Sequence, residues 1–131
     1  MALDPAALGP DVLAFLTERH LATLTTLRPD GSPHVVPVGF AYDPAEQLVR
    51  IISFAGSRKV RNLEAAPGSR AVVSQVDGGR WLTLEGTGSV TADPARVAAA
   101  VAAYTARYRE PGERADRVAI EIRVDRVLGR A

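Results

Sequence analysis

The 131-residue sequence predicts a mainly antiparallel α+β domain, a barrel of six strands with helices at its periphery. Three observations predict it. Strand-like runs are separated by hairpin-length segments rich in Gly, Pro and Asp; five of the six runs precede the long helical pattern that starts at Asp93; and the last run alternates cleanly between apolar and polar residues.

Taken in order, a first helix is expected within residues 5–19, with Asp4 or Asp11 as its cap and Val12, Leu13 and Leu16 at helical spacing. HLATLTTL (20–27) reads as a strand and RPDGSP (28–33) as a hairpin turn. HVVPVGFAY (34–42) places His34, Val36, Val38, Phe40 and Tyr42 on one face. Its Pro37 has no N–H to give a ladder, so this strand is an edge or is locally broken. DPAEQ (43–47) closes a hairpin into LVRIISF (48–54), and a short helix through Leu63 should end before PGS (67–69).

RAVVSQV (70–76) and RWLTLEGTGSV (80–90) flank Asp77, Gly78 and Gly79, the strongest tight-turn signal in the chain. Asp93 and Pro94 supply an N-cap and a first-turn proline for a helix striped by Val97, Val101, Tyr104 and Tyr108. RVAIEIRV (117–124) then points Val118, Ile120, Ile122 and Val124 inward. A small barrel of this kind leaves a flank of strands exposed, and a second copy is expected to cover it as a homodimer.

Composition narrows the function classes. One domain over residues 1–131 is expected, because the length suits a single core. With 16 basic against 15 acidic residues there is no global pull toward nucleic acid, so any anion site must be local. No cysteine is present, which removes disulfides, thiolate metal sites and cysteine nucleophiles, and two histidines, His20 and His34, make a poor metal site. No apolar run approaches the roughly 18 residues of a membrane span, and the first residues lack the pattern of a secretory leader. A cytoplasmic protein with no membrane partner and a small-molecule substrate is the expectation.

Three features could carry chemistry. In SFAGSRKVRN (53–62), Arg58, Lys59 and Arg61 sit where a strand gives way to a helix, an unfavourable place for cations unless an anion is beside them. If Gly56 or Ser57 caps the helix, free N–H groups and three cations converge as a phosphate cradle; the alternative is a solvated loop paired with Glu64 or Asp43. Lys59 is the only lysine in the chain. Trp81, the only tryptophan, offers a flat stacking surface, a subunit contact or simply core area. The strand around Pro37 either offers main-chain groups to a planar ring or is an ordinary edge. No dinucleotide fingerprint, P-loop or nucleophile elbow occurs, and neither histidine has an evident acid partner. Any difficult chemistry therefore belongs to a bound cofactor.

In combination, HLATLTTLRPDGSPHVVPVGFAYD, SRKVRNL and VSQVDGGRWLTLEG resemble the flavin/deazaflavin oxidoreductases of the pyridoxamine-phosphate-oxidase-like superfamily, and within it the branch that uses coenzyme F420. The resemblance runs from about residue 11 to Gly129. It implies a six-stranded split β-barrel, the FMN-binding split barrel, that dimerises with a cofactor groove at the subunit interface. It also implies that Ser57, Arg58, Lys59 and Asn62, with Arg61 close by, hold the cofactor phosphate. Val36, Pro37 and Val38 would face the flat ring with Ser53 nearby, and Gln75, Arg80 and Trp81 would lie at the interface, where they would reach the cofactor bound mainly by the partner subunit.

The implied activity is F420H2-dependent hydride transfer to a conjugated electrophile, with biliverdin as the favoured substrate and no catalytic side chain of the protein's own. The implied alternatives are an FMN-binding flavoprotein and a non-catalytic flavin or tetrapyrrole carrier. Pyridoxamine-phosphate oxidases carry further substrate-phosphate arginines and a longer C-terminal segment, so chemistry on pyridoxal phosphate is not expected.

Overall fold

The computed structural model describes residues 2–131. Eight strands and three helices follow in the order β1 (Ala2–Leu3), α1 (Pro10–Thr17), β2 (Ala22–Leu27), β3 (Pro33–Val38), β4 (Ala41–Asp43), β5 (Leu48–Phe54), α2 (Arg58–Ala65), β6 (Arg70–Asp77), β7 (Arg80–Thr91), α3 (Pro94–Arg107) and β8 (Arg117–Arg130). The strands form one sheet in the order β3-β2-β6-β7-β8-β5-β4, with β1 added to β8, and every pairing is antiparallel. The α+β antiparallel class agrees with the sequence. Six strands become eight because β1 adds to the far end of β8 and because the expected strand 34–42 divides.

That division shapes the molecule. β3 and β4 are the two ends of the sheet, yet Val38 and Ala41 are only three residues apart, so the sheet curls until its edges nearly meet. The interval is a split that no ladder closes. Phe40 lies in it with its side chain buried, its N–H donates to Tyr108 Oη (3.1 Å), and its carbonyl accepts from Arg107 Nη1 (2.7 Å). Backbone groups freed by the broken strand are thus satisfied by side chains at the end of α3. Gly39 lets both rings pack close beside them: a Cβ there would lie 3.0 Å from Tyr104 and from Tyr108, and the rings would have to shift by a few tenths of an ångström. Val36, Val38, Phe40 and Tyr42 still face the core across the break, as their alternation predicts.

The core runs through the barrel from Phe15 and Leu24 to Leu82, Leu84, Ile120 and Ile122. β8 differs from its predicted pattern: Ala119 and Glu121 are buried along with the inward-facing row, because α3 covers the other face and Arg96 holds the Glu121 carboxylate. The strand also continues past 124 to Arg130. Between Glu85 and Gly86 the β7–β8 register shifts, and a Cβ on Gly86 would lie 1.9 Å from the Arg123 carbonyl oxygen. Only glycine permits that approach.

α1 lies within the expected 5–19, from Pro10 to Thr17. Neither Asp4 nor Asp11 caps it: Gly9 is the N-cap without a side-chain bond, Pro10 fills the first turn, and Asp4 instead accepts from Ala6 N in the preceding turn. Asp93 does cap α3, accepting from Arg96 N, with Pro94 following it. The hairpin at Gly78 and Gly79 forms as expected, with Asp77 paired to Arg80. Among the described residues, no helix is long and apolar enough to cross a membrane, and no group of three or more His, Cys, Asp or Glu could hold a metal ion.

Candidate functional site

β5 leads directly into α2, and the corner between them concentrates uncommitted positive charge. Ser57 is the N-cap of α2, its Oγ accepting from Val60 N at 3.4 Å and sharing a hydrogen bond with Ser53 Oγ at 3.0 Å. Both serines are buried, so the corner is fixed from beneath. The cap leaves the first-turn N–H groups of Arg58 and Lys59 without helical partners, directed out of the helix start.

No carboxylate answers the cations placed there. Arg50, Arg70, Arg80, Arg96 and Arg114 are all ion-paired, whereas among the described residues Arg58, Lys59 and Arg61 are not. The alternative pairing is not formed: Asp43 is taken by Arg50, and Glu64 forms no ion pair among the described residues. Lys59 is half-buried, its Nζ 5.7 Å from the centroid of the Phe54 ring, and burial pushes its pKa below the ordinary lysine value.

The field of this corner reaches His34 on β3. Burial pushes the imidazole pKa down, and Arg28, Lys59 and Arg58 push it further in the same direction. His34 Nδ1 is buried and has no hydrogen-bond partner. An orphaned polar atom beside three cations marks a place where a polar anionic group would supply what the protein lacks.

The remaining expected residues divide. Val36 is half-buried, Pro37 exposed and Val38 buried, so β3 presents Pro37 and Val35 outward along the sheet edge. Trp81, on β7, is half-buried and pairs with Val76 on β6, which is 69% exposed. Arg80 is committed: it donates to both Glu18 oxygens (3.0 and 3.2 Å) and to Asp77 (2.6 Å), with its Cζ 4.4 Å from the Phe15 ring centroid.

Two expected residues turn inward instead. Gln75 is 1% exposed, its Nε2 donating to the Phe15 carbonyl and its Oε1 accepting from Arg107 Nη2 at 2.7 Å, so it lies inside the protomer and not on its surface. Asn62 is 2% exposed and donates to Thr26 Oγ1 at 3.0 Å, facing β2 and not the helix start. Both follow from phase. Gln75 occupies an inward position of β6, and Asn62 falls with Leu63 on the buried side of α2.

Sequence reasoning missed Arg107 and Tyr108. Tyr108 Oη donates to the His20 carbonyl at 2.6 Å, and Arg107 Nε donates to the Glu18 carbonyl at 2.8 Å, tying α3 to the end of α1 and to the barrel split. A signal was available for the arginine. Arg107 is two helical turns from Ala100, so a cation falls on the buried side of α3.

Comparison with known proteins agrees with this architecture. The family model described as pyridoxamine 5'-phosphate oxidase matches residues 8–131. An F420H(2)-dependent biliverdin reductase of Mycobacterium tuberculosis (strain CDC 1551 / Oshkosh) is 52% identical over 124 residues, covering 95% of this chain and 89% of the relative. A solved structure of an F420 reductase aligns with a TM-score of 0.71 at 29% identity, over 88% of this chain and 94% of that one. The conserved hypothetical protein Rv2991 of Mycobacterium tuberculosis shares the fold, with a TM-score of 0.78 at 22% identity over 94% of this chain and 84% of that one. With nearly the whole chain matched, it belongs to the pyridoxamine 5'-phosphate oxidase family.

Proposed function

We propose that the protein is an F420H2-dependent reductase that delivers a hydride to a conjugated electrophilic carbon of a linear tetrapyrrole such as biliverdin. One observation carries the reading: among the described residues Arg58 and Lys59 have no carboxylate partner at the open end of α2, in a chain 52% identical to an F420H(2)-dependent biliverdin reductase. The corner fits the phosphate of such a cofactor, because free N–H groups, unpaired cations and the orphaned His34 Nδ1 all lack a polar partner at one place.

Bound in its reduced form, F420 supplies the hydride. The chain's own residues bind and orient. Ser57, Arg58 and Lys59, with Arg61 one turn on, would hold the phosphate, and the backbone of Val36, Pro37 and Val38 would flank the flat ring, with Ser53 nearby. Asn62 and Gln75 act from the interior by supporting α2 and β6, since their side chains are already engaged there. Positioning two planar partners and excluding water asks for no acid–base constellation.

The reading includes a homodimer. The outer face of β3, β2 and β6 carries Val35, Pro37, Leu21, Thr23, Ser74 and Val76, with Trp81 beside them on β7, and none of these is charged. Leu21, Val35 and Val76 are 60%, 55% and 69% exposed, an apolar area suited to a second copy of the same face. Val76→Glu is expected to yield monomers in sedimentation with little change in protomer stability; a variant that stays dimeric would place the interface elsewhere.

The activity is tested by titrating the protein with F420 and with FMN in parallel, then following oxidation of F420H2 on addition of biliverdin. F420 should bind more tightly than FMN, and oxidation should depend on biliverdin. Tight FMN binding without F420 affinity would replace this reading with that of a flavoprotein, and F420 binding without turnover would leave a carrier.

A further inference from the structure

Beyond the α2 corner lies a second cationic wall. Arg114, in the segment between α3 and β8, and Arg117, the first residue of β8, come against the end of β5, where they line a cleft of about 180 Å³ with Ile52, Ser53 and Phe54. We infer that this cleft takes a carboxylate of an elongated polyanionic ligand whose other anionic or planar portion lies at Ser57, Arg58 and Lys59. The inference rests on the F420-reductase reading for the identity of the ligand, and on geometry for the site.

The geometry makes the two walls continuous. Phe54 is approached by both: Arg114 Cζ is 4.0 Å from its ring centroid and Lys59 Nζ 5.7 Å. Ser53, at the floor of the cleft, is hydrogen-bonded to Ser57, the cap of α2. One ligand lying along the end of β5 would therefore meet both cationic groups.

The charge balance points the same way. Arg58, Lys59, Arg114 and Arg117 face two nearby acids. Asp116 is bound to Arg114 at 2.5 Å, and Glu113, in the adjoining cleft with Arg114 and Arg117, forms no ion pair among the described residues. Arg117 donates to the Gly112 carbonyl at 2.7 Å and has no carboxylate partner among the described residues. That bond, together with Ala55 N donating to the Asp116 carbonyl at 3.0 Å, holds the segment in place before any ligand arrives. A guanidinium fork so fixed matches the two oxygens of a carboxylate, and the net positive field disfavours a cationic or neutral occupant.

A carboxylate can come from two sources, the side chains of a tetrapyrrole substrate or the glutamyl tail of F420, and one experiment separates them. Arg117→Gln and the Arg114→Gln/Arg117→Gln double variant are compared with the wild type in three titrations without reductant. These are biliverdin against its dimethyl ester by absorbance, F420 by fluorescence, and FMN as a ligand without carboxylates. A loss of about tenfold or more in biliverdin affinity, absent for the ester, assigns the cleft to the substrate; the same loss for F420, absent for FMN, assigns it to the cofactor. Unchanged affinity in every titration overturns the inference. Because binding is read without turnover, a wild type that shows the carboxylate-dependent difference but does not oxidise F420H2 overturns the reductase reading alone.

Discussion

Arginine serves opposite purposes in two regions of this molecule. Arg107, near the barrel split, is 8% exposed and spends its donors on the Glu18 carbonyl, the Phe40 carbonyl and Gln75 Oε1, with its guanidinium 4.7 Å from the Phe40 ring centroid. Burial pushes its pKa down, yet the three acceptors make the buried charge tolerable. Arg58 is exposed and Lys59 half-buried at the start of α2, and neither has an ion-pair partner among the described residues. Charge by itself marks neither region as a site. What separates them is whether the protein consumes the donors or leaves them for something else.

Truncation at the two places should therefore move different observables. Arg107→Met leaves Gln75 Oε1 and the Glu18 carbonyl without this donor and the Phe40 carbonyl with Tyr108 Oη alone, and should cost about 3 kcal/mol of folding stability, read from the denaturation midpoint. It should also loosen the split at Phe40. Lys59→Ala should cost less than about 1 kcal/mol, in keeping with a cation that has no internal partner, while weakening F420 binding by about tenfold to a hundredfold. Equal stability losses would erase the distinction and make Lys59 part of the structural set. A stable Arg107→Met protein would mean that water satisfies Gln75 Oε1 and the Glu18 carbonyl, with Tyr108 sufficient for the Phe40 carbonyl.

The legible part of the fold was the part governed by local alternation. Turn chemistry at 77–79, the cap at Asp93 and Pro94, and the inward rows of β3 and β8 follow from short-range spacing, and the structure repeats them. Helix α1 lies within its expected interval, but its cap was misassigned because Asp4 and Asp11 resemble caps in sequence, whereas Pro10 after Gly9 sets the start. The split was only half visible. Pro37 announced an edge or a break, but the groups that satisfy Phe40 come from Arg107 and Tyr108, 67 and 68 residues away.

At this corner the helix start was legible: Gly56 or Ser57 was the expected cap, and Ser57 is that cap, with Arg58 and Lys59 in the first turn. Gln75 and Asn62 look available in sequence because each is a polar residue near a motif, and only their phase within the barrel shows the side chains engaged inside the protomer. Arg114 and Arg117 were missed for a related reason: only the β5–β8 pairing, with Phe54 opposite Arg117, brings their segment to the corner.

The smallest expected effect tests the intermediate case, Arg80, which the resemblance placed at the cofactor and the structure pairs with acids. Glu18 receives both Arg80 nitrogens and the His20 ring, and these partners lower its pKa from 4.5 to about 2. The folded-state value lies below the unfolded one, so the contribution is present above about pH 4.5 and is lost as pH falls toward 2. Glu18→Gln should therefore lower the melting temperature modestly at pH 7, with the difference from the wild type shrinking as the pH is lowered through that window. If Arg80 belongs with Arg107 among the committed arginines, F420 affinity at pH 7 should be the same in both proteins. A shift in F420 affinity on releasing Arg80 from Glu18 would move that arginine into the uncommitted set, and the boundary between the two regions would then run through Arg80 itself.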